Sequence, residues 1–304
     1  MKKDLISIVD FDKDDILDLL DLTKDVKANK SKYECSLKSK CIGLIFQKPS
    51  NRTRVSFEIG MVQLGGHAIY LGPSEIDMGG RESVKDVACV LSRYLDGIVA
   101  RTYNHEDAKE LARHAAVPVI NGLSDLEHPC QALSDIFTIR ENFGKFKGVK
   151  LSYIGDGNNV LNSLMCAASK VGLDMKIATP KGYEPKIEMA RIARSIARVS
   201  GSQIELSNDP KAAAKDADVI YTDVWVSMGQ EKERSKRKKL FMPFQINGNL
   251  MKFAKKKCLI MHCLPAHRGQ EITDEVIDSK NSIVYDQAEN RMHAEKAILL
   301  RLLK

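Results

Sequence analysis

Ser50-Asn51-Arg52-Thr53-Arg54 crowds two hydroxyls, one amide and two guanidinium groups into a single short stretch. An arginine fork matches the geometry of a phosphate or acyl phosphate, and hydroxyls supply further donors around it. The same five residues would also serve as an ordinary helix cap, so the flanking elements have to decide. Upstream, Cys41-Ile42-Gly43-Leu44-Ile45-Phe46 is apolar on both faces and reads as a buried parallel strand, which Pro49 ends. Downstream, Val55, Phe57, Ile59, Met61, Val62 and Leu64 predict a largely buried helix that stops at Gly65-Gly66. The pentad then occupies a strand-to-helix turn, where backbone N–H groups and the positive helix end favour an anion.

Other chemistry-bearing residues repeat that placement. Arg101, Asn121, Asn159, Asp223 and Cys263 each follow a short apolar run, at 97–100, 117–120, 149–154, 219–222 and 259–261. His128-Pro129-Cys130-Gln131 opens a helix, with Pro129 suited to the first turn. Strand and helix patterns alternate along the chain, starting with an amphipathic helix capped by Asp12. This alternation predicts an α/β protein of two domains, each a parallel sheet flanked by helices. The border falls near 135–148, giving one domain at 1–140 and another at 141–287, with a closing helix at 288–304 packed back on the first. Ligands of open α/β sheets bind beyond the carboxyl ends of the strands, so an active-site cleft between the domains is expected.

Composition narrows the class without naming it. A chain of 304 residues is long for one core, and 43% hydrophobic with 29% charged residues is ordinary for a globular protein. The net charge of +7 is partly local to the run 232–239, which holds no aromatic residue for base stacking, so nucleic acid is not the expected partner. Seven cysteines without regular spacing argue against a disulfide framework and for a reducing, cytoplasmic setting. No apolar run approaches the length of a membrane span.

Several stretches resemble the signatures of the aspartate/ornithine carbamoyltransferases. Ser50 to Glu58 is similar to the family's carbamoyl-phosphate signature, and His128 to Asp135 to its second one. Asp223-Val224-Trp225-Val226-Ser227-Met228-Gly229 and His262-Cys263-Leu264-Pro265-Ala266-His267-Arg268-Gly269 are similar to stretches that mark the ornithine branch. The resemblance is collinear and reaches Ala288-Glu289-Asn290-Arg291. It implies transfer of the carbamoyl group of carbamoyl phosphate to the δ-amine of L-ornithine, giving L-citrulline and phosphate. By the same resemblance, Ser50, Asn51, Arg52 and Thr53 hold the phosphate. Arg101 and His128 donate to the carbonyl oxygen, and Gln131 accepts from the carbamoyl NH2. Asn159, Asp223, Ser227 and Met228 grip the α-amino and α-carboxylate end of ornithine. Cys263 and the Leu264 carbonyl meet the δ-amine and carbamoyl NH2, and Arg291 completes the pocket. The family further implies arginine biosynthesis or its reversal, a homo-oligomer built from trimers, and no metal or organic cofactor.

Rival readings are weaker. Gly155-x-Gly157-x-x-Val160 mimics a dinucleotide fingerprint but lacks its third glycine. His262, Cys263 and His267 suggest zinc, yet no Cys-x-x-Cys completes four ligands. Asp77 stands where the family usually carries a glutamine, which puts a carboxylate in a loop expected to serve phosphate. Within the enzyme class the alternative is a sister carbamoyltransferase for aspartate, putrescine or acylated ornithine. Outside it, a homologue that lost catalysis is the alternative, and a nucleic-acid binder the third.

Overall fold

The computed structural model describes residues 4–226 and 231–304. The chain divides into two compact units, residues 1–137 with 290–304, and residues 138–289.

In the first unit, β1 (Cys41–Phe46), β2 (His67–Leu71), β3 (Gly97–Arg101) and β4 (Val119–Leu123) form a parallel sheet in the order β2-β1-β3-β4. β1 and β3 lie at its centre and are almost wholly buried, as their unbroken apolar runs require. The helices Lys13–Ala28, Asn51–Gln63, Val84–Leu91 and His105–His114 surround the sheet. Asp12 and Asp15 form a reciprocal cap at the start of the first of these, and Ile16, Leu19, Leu20 and Thr23 are its buried face.

The helix Asn51–Gln63 departs from the sequence expectation. Phe57, Met61 and Leu64 are buried, but Val55, Ile59 and Val62 are exposed at 48%, 41% and 61%. Residues 55, 59 and 62 share one helical face at i, i+4 and i+7, opposite the packed one. The core of this unit takes one apolar face of the helix and leaves the other at the surface. Tyr94 lies past the end of the next helix and is 74% exposed. Asn121 is also placed differently: it lies inside β4, not beyond it, and its amide donates to the Ile6 carbonyl at 2.9 Å. It therefore ties the amino-terminal segment to the sheet.

In the second unit, β5 (Lys150–Ile154), β6 (Asp174–Ala178), β7 (Ile204–Ser207), β8 (Val219–Thr222) and β9 (Leu259–His262) pair in parallel, in the order β7-β6-β5-β8-β9. Ile154, Ile220, Ile260, Ile246 and Val276 contribute to a core on one side of this sheet. Each such buried aliphatic side chain contributes roughly 1.5–3 kcal/mol relative to exposure.

Both sheets reverse their winding direction once. The chain runs from β1 outward to β2 and returns to the other side of β1 as β3; it runs from β5 through β6 to β7 and returns beside β5 as β8. At such a reversal the loops leaving the two central strands diverge and open a crevice at their carboxyl ends. Those loops carry the pentad and Arg101 in one unit, and Asn158-Asn159 and Asp223 in the other.

Candidate active site

In the first unit the pentad caps its helix. Ser50 is the N-cap, its hydroxyl accepting from the Thr53 N–H at 3.4 Å and donating to Thr53 Oγ1 at 3.1 Å. Thr53 Oγ1 also accepts from Arg291 Nη2 at 3.0 Å, which brings the closing helix Val284–Leu303 to the turn. Arg291 in turn pairs with the buried Glu295 at 2.9 Å. Burial pushes the Glu295 carboxyl up to about 6 in spite of that partner. Arg54 faces elsewhere, bonded to Glu58 at 2.9 Å and stacked 3.9 Å from the Tyr70 ring.

Arg101 ends β3 and is 7% exposed. Burial, then the charges of Arg291 and Arg52, bring its guanidinium down to about 10. His128 is fully buried. Burial, followed by Arg291, Arg101 and Arg52, holds its imidazole well below its ordinary value. Arg52, Arg101, His128 and Arg291 are thus one electrostatic group, and His128 within it is a neutral hydrogen-bonding imidazole at neutral pH. Gln131 donates through Nε2 to Asp135 at 2.8 Å. Its Oε1 is buried with no hydrogen-bond partner among the described residues, and the same is true of Arg101 Nε. Buried polar atoms of this kind are costly unless a ligand satisfies them. An anion with an adjoining amide suits such a pocket: three guanidinium groups outnumber the buried carboxylates of Glu295 and Asp135, Gln131 offers an acceptor, and His128 is uncharged.

Two members of this group were not read from the sequence. Lys48 is 9% exposed, with Nζ 4.7 Å from the centre of the Tyr103 ring. Burial and then Arg101 lower its pKa, making it a further cation of the pocket. In the sequence it was only part of the break before Pro49, and nothing in a lone lysine marks it. Glu295 follows Arg291 by one helical turn, a spacing that signals an ion pair.

In the second unit, Asp223 leaves β8 and is 6% exposed. Its Oδ1 accepts from Cys263 Sγ at 3.0 Å and from the Val224 N–H at 2.8 Å; its Oδ2 accepts from Asn158 Nδ2 at 2.6 Å. Asn158 is the N-cap of the helix Asn159–Val171, its Oδ1 accepting from the Val160 and Leu161 N–H groups. The sequence pointed to Asn159, whereas the amide holding Asp223 belongs to its neighbour. A helix-start asparagine before Val160 was the signal available. Asn159 begins the same helix and accepts from the Val160 N–H at 3.0 Å. Ser227 and Met228 lie outside the described residues.

Cys263 and Leu264 follow β9 directly. The Leu264 N–H donates to His262 Nδ1 at 2.9 Å, and His262 Nε2 lies 3.2 Å from Glu271 Oε1. Leu264 adopts φ +57°, which fixes the direction of its carbonyl in a region few non-glycine residues occupy. Asp223, His262 and Cys263 have ligand atoms within 4.8 Å of one another. Both ring nitrogens of His262 are already engaged, so a cation there would have to displace Leu264 or Glu271.

The glycines of the β5 turn have packing reasons. Gly155 sits at φ +152°, and a Cβ on Gly157 would fall 2.3 Å from the Glu184 carbonyl carbon. Gly157 therefore makes room for a neighbouring loop, a role unlike the pyrophosphate approach of a dinucleotide fingerprint. Asp77 is an exposed turn residue whose Oδ2 accepts from the Arg81 N–H at 3.2 Å. The Arg81 guanidinium reaches the Glu75 carbonyl at 3.4 Å instead.

Comparison with known proteins agrees along the whole chain. Residues 3–141 match the carbamoyl-P binding domain of aspartate/ornithine carbamoyltransferase, and residues 147–302 match its Asp/Orn binding domain. A protein of Thermoplasma acidophilum named ornithine carbamoyltransferase, catabolic, is 52% identical over 302 residues, covering 99% of both chains. One of Pyrococcus furiosus named ornithine carbamoyltransferase, anabolic, is 54% identical, covering 98% of this chain and 95% of that protein. The solved structure of the Pyrococcus furiosus ornithine carbamoyltransferase superposes with a TM-score of 0.95, at 54% identity, over 98% of this chain and 96% of its own. The anabolic enzyme of Campylobacter jejuni superposes at 0.94 with 38% identity, covering 99% of each chain. Both halves and both crevices thus point the same way: the chain belongs to the aspartate/ornithine carbamoyltransferase family.

Proposed function

We propose that this protein transfers the carbamoyl group of carbamoyl phosphate to the δ-amine of L-ornithine, giving L-citrulline and phosphate. The observation that carries the reading is identity of 52–54% over 98–99% of the chain to proteins named ornithine carbamoyltransferase. The electrostatics of the two crevices support it.

Ser50, Asn51, Arg52 and Thr53 would take the phosphate at the capped turn, with Arg291 held ready by Thr53. Arg101 and neutral His128 would donate to the carbonyl oxygen as negative charge collects on it. An imidazolium would be a stronger donor but would add a fourth close cation to three arginines, and burial forbids it. Gln131 Oε1 would accept from the carbamoyl NH2. Asp223 is the counter-ion for the α-ammonium of ornithine, beside Asn159 and, by resemblance, Ser227 and Met228. Cys263 and the Leu264 carbonyl would orient the δ-amine. That amine attacks only when deprotonated; the new C–N bond forms as the C–O bond to phosphate breaks, and the amine loses its remaining extra proton. We assign the release of that proton to the Cys263–Asp223 pair, whose contact is 3.0 Å. Direct attack by the amine needs no covalent intermediate on Cys263.

The reading includes a homo-oligomer of trimers or multiples of trimers. Its support is the outward apolar stripe of Val55, Ile59 and Val62, together with Ile69 (44% exposed) on the edge strand β2. It also includes a cytoplasmic setting, supported by seven free cysteines. Relatives named both anabolic and catabolic occur at similar identity, so biosynthesis of arginine is one of two directions the enzyme would serve.

The ureido product, assayed colorimetrically with L-ornithine, putrescine, acetylornithine or aspartate as the acceptor, tests the function. Product with ornithine far above the others is expected. Preference for another amine, or no product from any, overturns it.

A further inference from the structure

One buried ion pair near the Asp223 crevice has no part in the chemistry above. Asp156 lies in the turn after β5, and Arg237 on the helix Arg234–Phe241; they are 5% and 6% exposed. Arg237 Nη1 is 3.0 Å from Asp156 Oδ2 and donates to the Trp225 carbonyl at 2.9 Å; its Nε donates to Glu233 at 3.0 Å. The guanidinium carbon lies 4.7 Å from the centre of the Tyr183 ring. A single side chain therefore joins the β5 turn, two residues before Asn158, to the segment two residues after Asp223. Stability alone does not account for the pair, since buried ion pairs are commonly no better than well-packed apolar residues.

Charge does account for it. Asp156 feels Asp223 as a repelling neighbour, and burial pushes its carboxyl up to about 6 even with Arg237 attached. Without the guanidinium, which lowers that pKa, Asp156 would keep its proton to higher pH, and once ionised it would set a second carboxylate beside Asp223. We infer that Arg237 is a positioning and specificity residue: by claiming Asp156, it leaves Asp223 as the single carboxylate that faces the amino-acid substrate, and it fixes the backbone on either side of it. This rests on the ornithine reading, and deepens it.

The test uses the full-length enzyme and four forms: wild type, Arg237→Met, Asp156→Asn and the double variant. Methionine keeps much of the aliphatic stem, so packing changes least. In Arg237→Met, assayed at alkaline pH so that Asp156 is ionised, the KM for ornithine is expected to rise at least about tenfold, in line with an uncompensated buried charge. The KM for carbamoyl phosphate should stay within about twofold, because its proposed ligands are untouched. Adding Asp156→Asn to Arg237→Met removes the stranded carboxylate and should recover most of the ornithine KM. Asp156→Asn alone leaves a cation near the ammonium site and should raise that KM as well. Recovery in the double variant is something a purely structural role would not produce. Equal changes in both KM values, no change in either, or a double variant no better than Arg237→Met would overturn the inference. A wild-type enzyme that makes no citrulline would instead overturn the function, which keeps the two failures apart.

Discussion

The two crevices occupy equivalent places in two similar sheets, yet their charges are incomplete in opposite senses. In the first unit Lys48, Arg52, Arg101 and Arg291 outnumber the buried carboxylates of Glu295 and Asp135, and burial with mutual repulsion depresses Lys48, Arg101 and His128. In the second, the buried guanidinium of Arg237 pairs with Asp156 while Asp223 is held by Cys263, the Val224 N–H and Asn158, and the pKa of Asp156 is raised. Perturbations of this size are stability given up in the empty protein and returned when a ligand of opposite charge arrives. A common architecture thus offers the crevice, and the sign of its unsatisfied charge selects the occupant.

The strongest way to break this contrast is to remove a cation from the first crevice. Arg52→Ala should lower kcat/KM by roughly two to three powers of ten, with the loss appearing mainly as poor use of carbamoyl phosphate. Steady-state kinetics with each substrate varied in turn would show it; an unchanged rate would refute the anion site. Asp223→Asn should act on the other side, raising the KM for ornithine by about tenfold to a hundredfold while carbamoyl phosphate binding, followed by calorimetry, is retained. Inorganic phosphate offers a gentler probe. At about one hundred times its Kd it should stabilise the wild type by roughly 2.7 kcal/mol, and should stabilise Arg52→Ala far less, read as shifts in thermal unfolding.

The smallest expected effect concerns pH. The Glu295 carboxyl sits at about 6 in the folded protein against an ordinary value of 4.5. Between those values the folded protein holds a proton that the unfolded chain releases, so this group favours folding most below 4.5 and loses that contribution as pH rises through 6. The loss should be on the order of 2 kcal/mol, and Glu295→Gln should abolish it in denaturant titrations across pH 4.5–7. Persistence of the same slope in the variant would assign it to another group.

Much of this was legible in the sequence, because strands that are buried on both faces are written as unbroken apolar runs. β1, β3, β5 and β8 could be read that way, and the polar residues following them mark the crevices. What stayed hidden involves choices between neighbours or between faces. An apolar pattern does not say which side of the helix Asn51–Gln63 meets the core, so it predicts burial for Val55, Ile59 and Val62 as well as for Phe57 and Met61. Two adjacent asparagines share one composition, and only the cap geometry gives Asn158 the contact to Asp223. Lys48 and Arg237 become informative only once burial is known, since a lysine before a proline and an arginine in a basic run look like surface in any sequence.

The bond from Arg291 to Thr53 has a bearing on synthesis. Translation delivers the sheet with its capped turn first, and the guanidinium that docks on that turn is made 238 residues later. A ribosome-bound chain would therefore carry a half-equipped anion crevice until Arg291 has been made, and losing the segment that holds Arg291 would strip away part of a pocket laid down far upstream in the message.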